Sequence, residues 1–296
     1  MMKTELNTQV KGNKEEDKQP NAEENGQNLQ DLNVSVASFR ILKTNRWVND
    51  EIVNAMVTLL NEYKSPKRYY RKRKRSTDPL SSLTKGLKDI LILNTYFCQA
   101  YFELKNTCRR KLFNKLDRYL YKQIVKKDKR VFKKIIVPIM YCSHWFCLHV
   151  DLTRGKIRIY DSLIEKMYSK SYEAAELLCF YLERSSVVLR IMTKILKINS
   201  EKQIENWFTE KRLNDVRDKG FKSCFQISFA RCPQQDNTYD CGVFLCMNLF
   251  CIASRINEID YITHSDYMRG CIGQTLLSKD LKTLQNFIKT PLSSIL

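Results

Sequence analysis

A nucleophilic centre can be assembled from a few residues of this sequence, and histidine is the scarce ingredient. The chain carries three, His144, His149 and His264, against eleven cysteines. Among the cysteines, Cys241 stands apart. It precedes Gly242 in YDCGVFLCMNLF, where the polar turn QQDNTYD gives way to an apolar helix. A thiol at a helix N-terminus meets unpaired backbone N–H groups and the positive end of the helix dipole, and both favour thiolate. Cys246 and Cys251 lie deeper in the same helix and read as core packing. His144 opens the strand HWFCLHVD and Asp161 ends the run GKIRIY, so hairpin pairing can set the two side by side. His149 has the opposite side-chain parity and belongs to the other face. His264, in ITHSDY, suits a surface or a helix end. Gln235, six residues before Cys241, can present an amide N–H where charge develops on a carbonyl oxygen, with the Cys241 backbone N–H as second donor. Thiol, imidazole, orienting carboxylate and oxyanion donors are the parts of acyl transfer through a thioester. Each residue also has a structural alternative: an edge histidine beside Trp145, a carboxylate capping the next helix, a glutamine bracing a loop.

The elements that must position these groups can be read from periodicity. Asn49 or Asp50 can cap a helix running through DEIVNAMVTLLNEY, with Ile52, Val53, Met56, Val57, Leu60 and Tyr63 at helical spacing. Helical patterns return in LKDILILNTYFCQAYF and in KLFNKLDRYLYKQIV, where Leu112, Leu116, Tyr119 and Leu120 share a face. The period then changes. KKIIVPIMY, WFCLHVD and GKIRIYD are short β-branched and aromatic runs, the last two joined by the hairpin-like LTRG. YEAAELLCFYLERSSVVLRIMTKIL reads as helix, CFQISFARC as strand and CGVFLCMNLFCIASR as a buried helix. Helices at both ends of a small sheet predict an α+β fold.

Charge and cysteine usage bound the setting. The formal charge is +19, and it is localised: Lys64 to Arg75 holds eight basic and no acidic residues, Arg109 to Lys134 twelve basic and two acidic. Such a field attracts nucleic acid, acidic proteins or anionic membrane without choosing among them. No run of 18 apolar residues occurs, so no membrane span is expected. The N-terminal residues lack the apolar segment of a secretory signal, CxxC is absent, and the cysteine count is odd. A reducing compartment is expected rather than a disulfide scaffold, and the familiar zinc spacings are missing. Residues 1–32, polar and free of aromatics, are expected to be a disordered tail, with residues 33–296 a single domain.

Four blocks in order, RWVNDEIVNAMVTLL, ILNTYF, VPIMYCSHWFCLHVDLTRGKIRIYDSL and CPQQDNTYDCGVFLC, resemble the sentrin-specific and ubiquitin-like-protein-specific cysteine protease family, the SUMO proteases. With their flanks they span about Val36 to Arg255, and beyond Ile256 the likeness is only helical character. The resemblance implies a papain-like fold, a small central mixed sheet flanked by helices, and a thiol protease that cleaves after a modifier's C-terminal Gly-Gly, for deconjugation and for precursor maturation. On it, His144 corresponds to the general base, Asp161 to the orienting acid, Cys241 to the nucleophile and Gln235 to the oxyanion-hole glutamine. Trp47 and Trp145 correspond to the aromatic pair closing over the Gly-Gly tail, and Asp50 to a residue touching the modifier. No cofactor or metal is implied. Partners would be SUMO or a related modifier, NEDD8 or ubiquitin being the alternatives, acted on by a monomer. A binding protein without turnover is the competing class, and the basic run Lys64 to Arg75 could contact nucleic acid or direct the chain to the nucleus, with the cytoplasm a second location. Two departures from the family pattern stand out: a basic insertion near 64–80 and a helical insertion near 184–220, which bear on substrate choice more than on chemistry.

Overall fold

The computed structural model describes residues 22–63, 89–102, 109–126, 131–197, 224–256 and 264–289, together with 203 and 206. The basic run Lys64 to Arg75, the rest of the insertion near 64–80, residues 1–21 and most of the helical insertion beyond 197 lie outside them. The described chain runs α1 (Ala22–Asp31), α2 (Val36–Ile41), α3 (Asp50–Glu62), β1 (Ile90–Ile92), α4 (Thr95–Phe102), α5 (Arg109–Lys126), β2 (Lys134–Tyr141), β3 (His144–Asp151), β4 (Lys156–Tyr160), α6 (Ile164–Leu182), α7 (Ser186–Leu196), β5 (Gln226–Phe229), α8 (Cys241–Ala253), α9 (Ser265–Ser278) and α10 (Lys282–Lys289).

The strands form one mixed sheet in the order β1-β2-β3-β4-β5. β2, β3 and β4 make an antiparallel meander, and β1 and β5 add to its two edges in parallel. The expected α+β architecture is therefore present. The two-residue turn between β2 and β3 has both Cys142 (φ 49°) and Ser143 (φ 58°) in the left-handed region. That pair of angles matches the twist of a tight hairpin, and it sets Tyr141 opposite His144. His144 is thus fixed at the first position of its strand. The β3–β4 connection turns on Asp151, whose Oδ1 accepts from the Thr153 and Arg154 backbone N–H groups, and on Gly155 at φ 61°.

Alternation along β3 divides the core into two layers. Phe146, Leu148 and Val150 face a layer shared with α4, α5, α6 and α7. Trp145 and Cys147 face the layer built by α3, α8, α9 and α10. All 13 residues of α8 are buried, as an all-round apolar sequence requires. With ~1.5–3 kcal/mol for each large apolar side chain withdrawn from water, α8 is a firm platform for the residue at its start.

Three differences from the sequence reading have physical causes. Residues 22–31 form a helix rather than part of a disordered tail, because Leu29 and Leu32 reach the core beside α9. The long helical pattern at LKDILILNTYFCQAYF breaks: Ile90–Ile92 is a strand paired with β2, fully buried and β-branched at both ends. The helix read across YEAAELLCFYLERSSVVLRIMTKIL is two helices, because the Ser185 side chain accepts from the Val188 N–H and starts α7 afresh.

Candidate active site

Cys241, His144, Asp161 and Gln235 come together where β3 begins, β4 ends and α8 starts. His144 Nε2 lies 2.7 Å from Asp161 Oδ1, both side chains almost completely buried. The Cys241 thiol is the ring's other interacting neighbour. Burial works against a charged imidazole here. The hydrogen bonds from Asp161 and Cys241, and their charges, outweigh it, and the His144 pKa is pushed up to about 9. An imidazole beside a thiol is the pairing through which a proton can leave sulfur.

Other buried thiols have the opposite surroundings. Burial pushes Cys98, Cys232 and Cys246 up to about 12, and raises Cys147 and Cys251 as well. Among the described residues, Cys241 is the cysteine that meets an imidazole.

The loop before α8 holds the site's polar groups in place. The Gln235 backbone N–H donates to the Ser162 carbonyl at 2.8 Å, and the Ser162 hydroxyl donates to Gln235 Oε1 at 2.7 Å. Those bonds orient the side-chain amide so that Nε2 is the donor end. One of its protons goes to the Asn237 carbonyl at 2.6 Å, and the second can serve an oxyanion. Neighbouring Gln234 grips the other side of the same strand end, donating to the Asp161 carbonyl at 2.9 Å and accepting from the Ile164 N–H. Asp161 Oδ1 also accepts from the Leu163 N–H at 2.8 Å. The carboxylate is held through Oδ1 by the His144 ring and the Leu163 N–H, and the residue's backbone carbonyl by Gln234.

A half-open cleft of about 380 Å³ is lined by Trp47, Val48, Asp50, Thr95, Met140 and Trp145 among others; it reaches the site through Trp145, the residue after His144, rather than being lined by the four groups themselves. Trp145 is buried, its indole N–H bonded to the Val48 carbonyl at 2.9 Å, whereas Trp47 is 46% exposed. Gly242 makes this junction possible: a Cβ there would lie 2.7 Å from Val48 Cβ and 3.2 Å from Trp145 Cδ1. Asp50 borders the cleft as the first residue of α3. The cap is Asn49, whose side chain accepts from the Ile52 N–H, so Asp50 is not occupied as a cap. His149 lies on the opposite face from His144, and His264 is exposed just before α9.

Several residues of the site were missed by the sequence reading: Gln234, Ser162, Asn237, Asp240, Val48 and Arg269. The doubled glutamine of PQQ was a signal for Gln234. Arg269 gave none, being one basic residue among 51 Lys and Arg.

A thiol opening the central buried helix, an imidazole from the adjoining strand and a carboxylate behind it define a papain-like thiol hydrolase site. Comparison with known proteins makes the class specific. The Ulp1 protease family, C-terminal catalytic domain, matches residues 46–288, and the chain belongs to that family of cysteine proteases. The match runs past Arg255, where the recognisable blocks end. Ubiquitin-like-specific protease 1 of Saccharomyces cerevisiae is 24% identical over 257 residues, covering 86% of this chain but 31% of the relative. The chain thus spans about a third of that relative's length. Among solved structures, the yeast Ulp1 protease domain in complex with Smt3, the yeast ortholog of SUMO, superposes with a TM-score of 0.52 at 20% identity, over 88% of this chain and 96% of that one. Ulp1 with its catalytic cysteine oxidised to a sulfinic acid gives 0.51 at 19% identity, over 90% and 98%. These likenesses establish the shared fold.

Proposed function

We propose that this protein is a thiol protease that hydrolyses the bond following the C-terminal Gly-Gly of a small ubiquitin-like modifier, with SUMO the first-choice substrate. The observation that carries this reading is His144, placed between the Asp161 carboxylate at 2.7 Å and the Cys241 thiol. In the proposed cycle, His144 takes the Cys241 proton while Asp161 holds the ring, and the thiolate attacks the terminal glycine carbonyl. The Gln235 amide and the Cys241 backbone N–H stabilise the tetrahedral oxyanion. The imidazolium then donates a proton to the departing lysine amine, and water hydrolyses the thioester. Trp47 and Trp145 border the cleft, and two indole walls close together pass a diglycine tail and reject side chains. Asp50 is proposed to meet the modifier near that tail.

SUMO is favoured over NEDD8 and ubiquitin by the YDSL and PQQ–DCG blocks and by the named partner in the yeast Ulp1 complex. The test is hydrolysis of fluorogenic SUMO, NEDD8 and ubiquitin derivatives carrying a C-terminal leaving group. Faster turnover of SUMO by about tenfold or more is the expected result, and equal rates on all three would remove the specificity claim. Nuclear residence, directed by the basic run at 67–75, belongs to the same reading. Neutralising that run should shift a fluorescent fusion out of the nucleus, and an unchanged distribution would argue against it.

A further inference from the structure

Arg269, on α9, is nearly 30 residues from Cys241 in sequence, yet its guanidinium reaches the loop that presents the nucleophile. It is 1% exposed and its partner Asp240 is fully buried. Nε and Nη2 both donate to Asp240 Oδ1, the former at 2.9 Å. Asp240 is the residue immediately before Cys241, and its Oδ2 accepts from Asn237 Nδ2 at 2.7 Å. Asn237 in turn accepts from the Tyr239 and Asp240 backbone N–H groups and receives the Gln235 amide on its carbonyl. The same guanidinium donates to the Arg46 carbonyl at 2.8 Å and the Ile41 carbonyl at 3.2 Å. Arg46 is the residue immediately before Trp47.

We infer that Arg269 is the positioning residue that holds the nucleophile loop and the Trp47 segment in one register. This inference rests on the protease reading above. The geometry asks for arginine specifically. A planar fork of five N–H donors can serve a carboxylate and two carbonyls at once, whereas a lysine ammonium is a point charge with three donors and cannot span them. The fold alone does not need a charge pair here. Buried ion pairs contribute little net stability against well-packed neutral groups, although breaking one by removing a single partner is costly. A charge pair sitting between the nucleophile and one wall of the cleft, and bonded to the chain beside each, has a role in alignment.

The experiment uses the protein's own cysteines as reporters. Wild type, Arg269→Lys and the neutral pair Asp240→Asn with Arg269→Gln are treated with iodoacetamide, and labelling is located by peptide mass spectrometry. Exposed Cys142 reports ordinary thiol reactivity, buried Cys246 and Cys251 report unfolding, and Cys241 reports alignment with His144. In Arg269→Lys, Cys241 labelling should slow at least about tenfold relative to Cys142 while Cys246 and Cys251 stay protected, because a thiol displaced from its imidazole loses thiolate character. On the SUMO fluorogenic substrate, kcat should fall and KM rise together. The neutral pair, which avoids an unpaired buried charge, should stay folded and show the same slowing. Folded variants that all label Cys241 at the wild-type rate would overturn the inference alone. A wild-type Cys241 no more reactive than Cys246 would overturn the protease reading, and this inference with it.

Discussion

Two histidines five residues apart on β3 share a strand and a residue type, and both have ring nitrogens withdrawn from water, yet they differ in everything that matters for chemistry. His144 has Asp161 at Nε2 and the Cys241 thiol as a second partner, and its pKa is pushed up to about 9. His149 has both ring nitrogens buried without a hydrogen-bond partner among the described residues, and its pKa is pulled down to about 4 by burial and then by the Lys134 charge. Burial acts the same way on both rings, against the cation. What separates them is that the strand ends at His144, so groups from the β4 terminus and the α8 loop can reach it. Residue 149 is mid-strand, paired with Ile136 and Arg158, and its face is covered by other elements. Position along a strand, more than identity, makes an imidazole useful.

Substitutions at the two positions should therefore part widely. His144→Gln should lower kcat by about 10³-fold or more, since base, acid and thiolate partner vanish together, while His149→Phe should leave kcat within about twofold. A His149→Phe enzyme as inactive as His144→Gln would break the comparison. Gln235→Leu should cost about 10²–10³ in kcat with KM little changed, the usual consequence of losing one oxyanion donor, and stopped-flow acylation would read it. Gly242→Ala forces a Cβ against Val48 and Trp145. It should destabilise the protein by ~1–3 kcal/mol, as overpacking does, which denaturant unfolding would measure.

The two rings should act on stability with pH dependences of opposite sign. A proton held more tightly in the folded protein stabilises it. The His144 contribution should be complete below about pH 6.5 and fade as pH rises through about 9. His149 binds its proton more weakly folded than unfolded, so stability should decline as pH falls from about 6.5 toward 4. Melting-temperature profiles of His144→Gln and His149→Phe against wild type should each erase one limb and leave the other. Both variants flattening the same limb would contradict the assignments.

How much of this could be read beforehand depended on whether the information was local. The β2–β3–β4 meander was legible because its strands are short, β-branched and joined by tight turns, and from it the proximity of His144 and Asp161 followed. The apolar helix opening at Cys241 was equally plain. Ile90–Ile92 was read as helix because three apolar residues in a row carry no period, and its partner strand lies more than forty residues away. Leu29 and Leu32 were hidden in a polar stretch that packs against α9 and the core. Arg269 could not be found at all, since its role comes from meeting Asp240 and two backbone carbonyls in space.

Whether His144 and Cys241 act as one nucleophilic unit can be read from a covalent trap: SUMO bearing an electrophile in place of its C-terminal carboxylate, with the adduct located by peptide mapping. A single adduct on Cys241 is expected, formed rapidly by wild type and by His149→Phe and slowed by about 10²-fold or more in His144→Gln. An adduct on Cys142, or equal rates with and without the His144 imidazole, would contradict it.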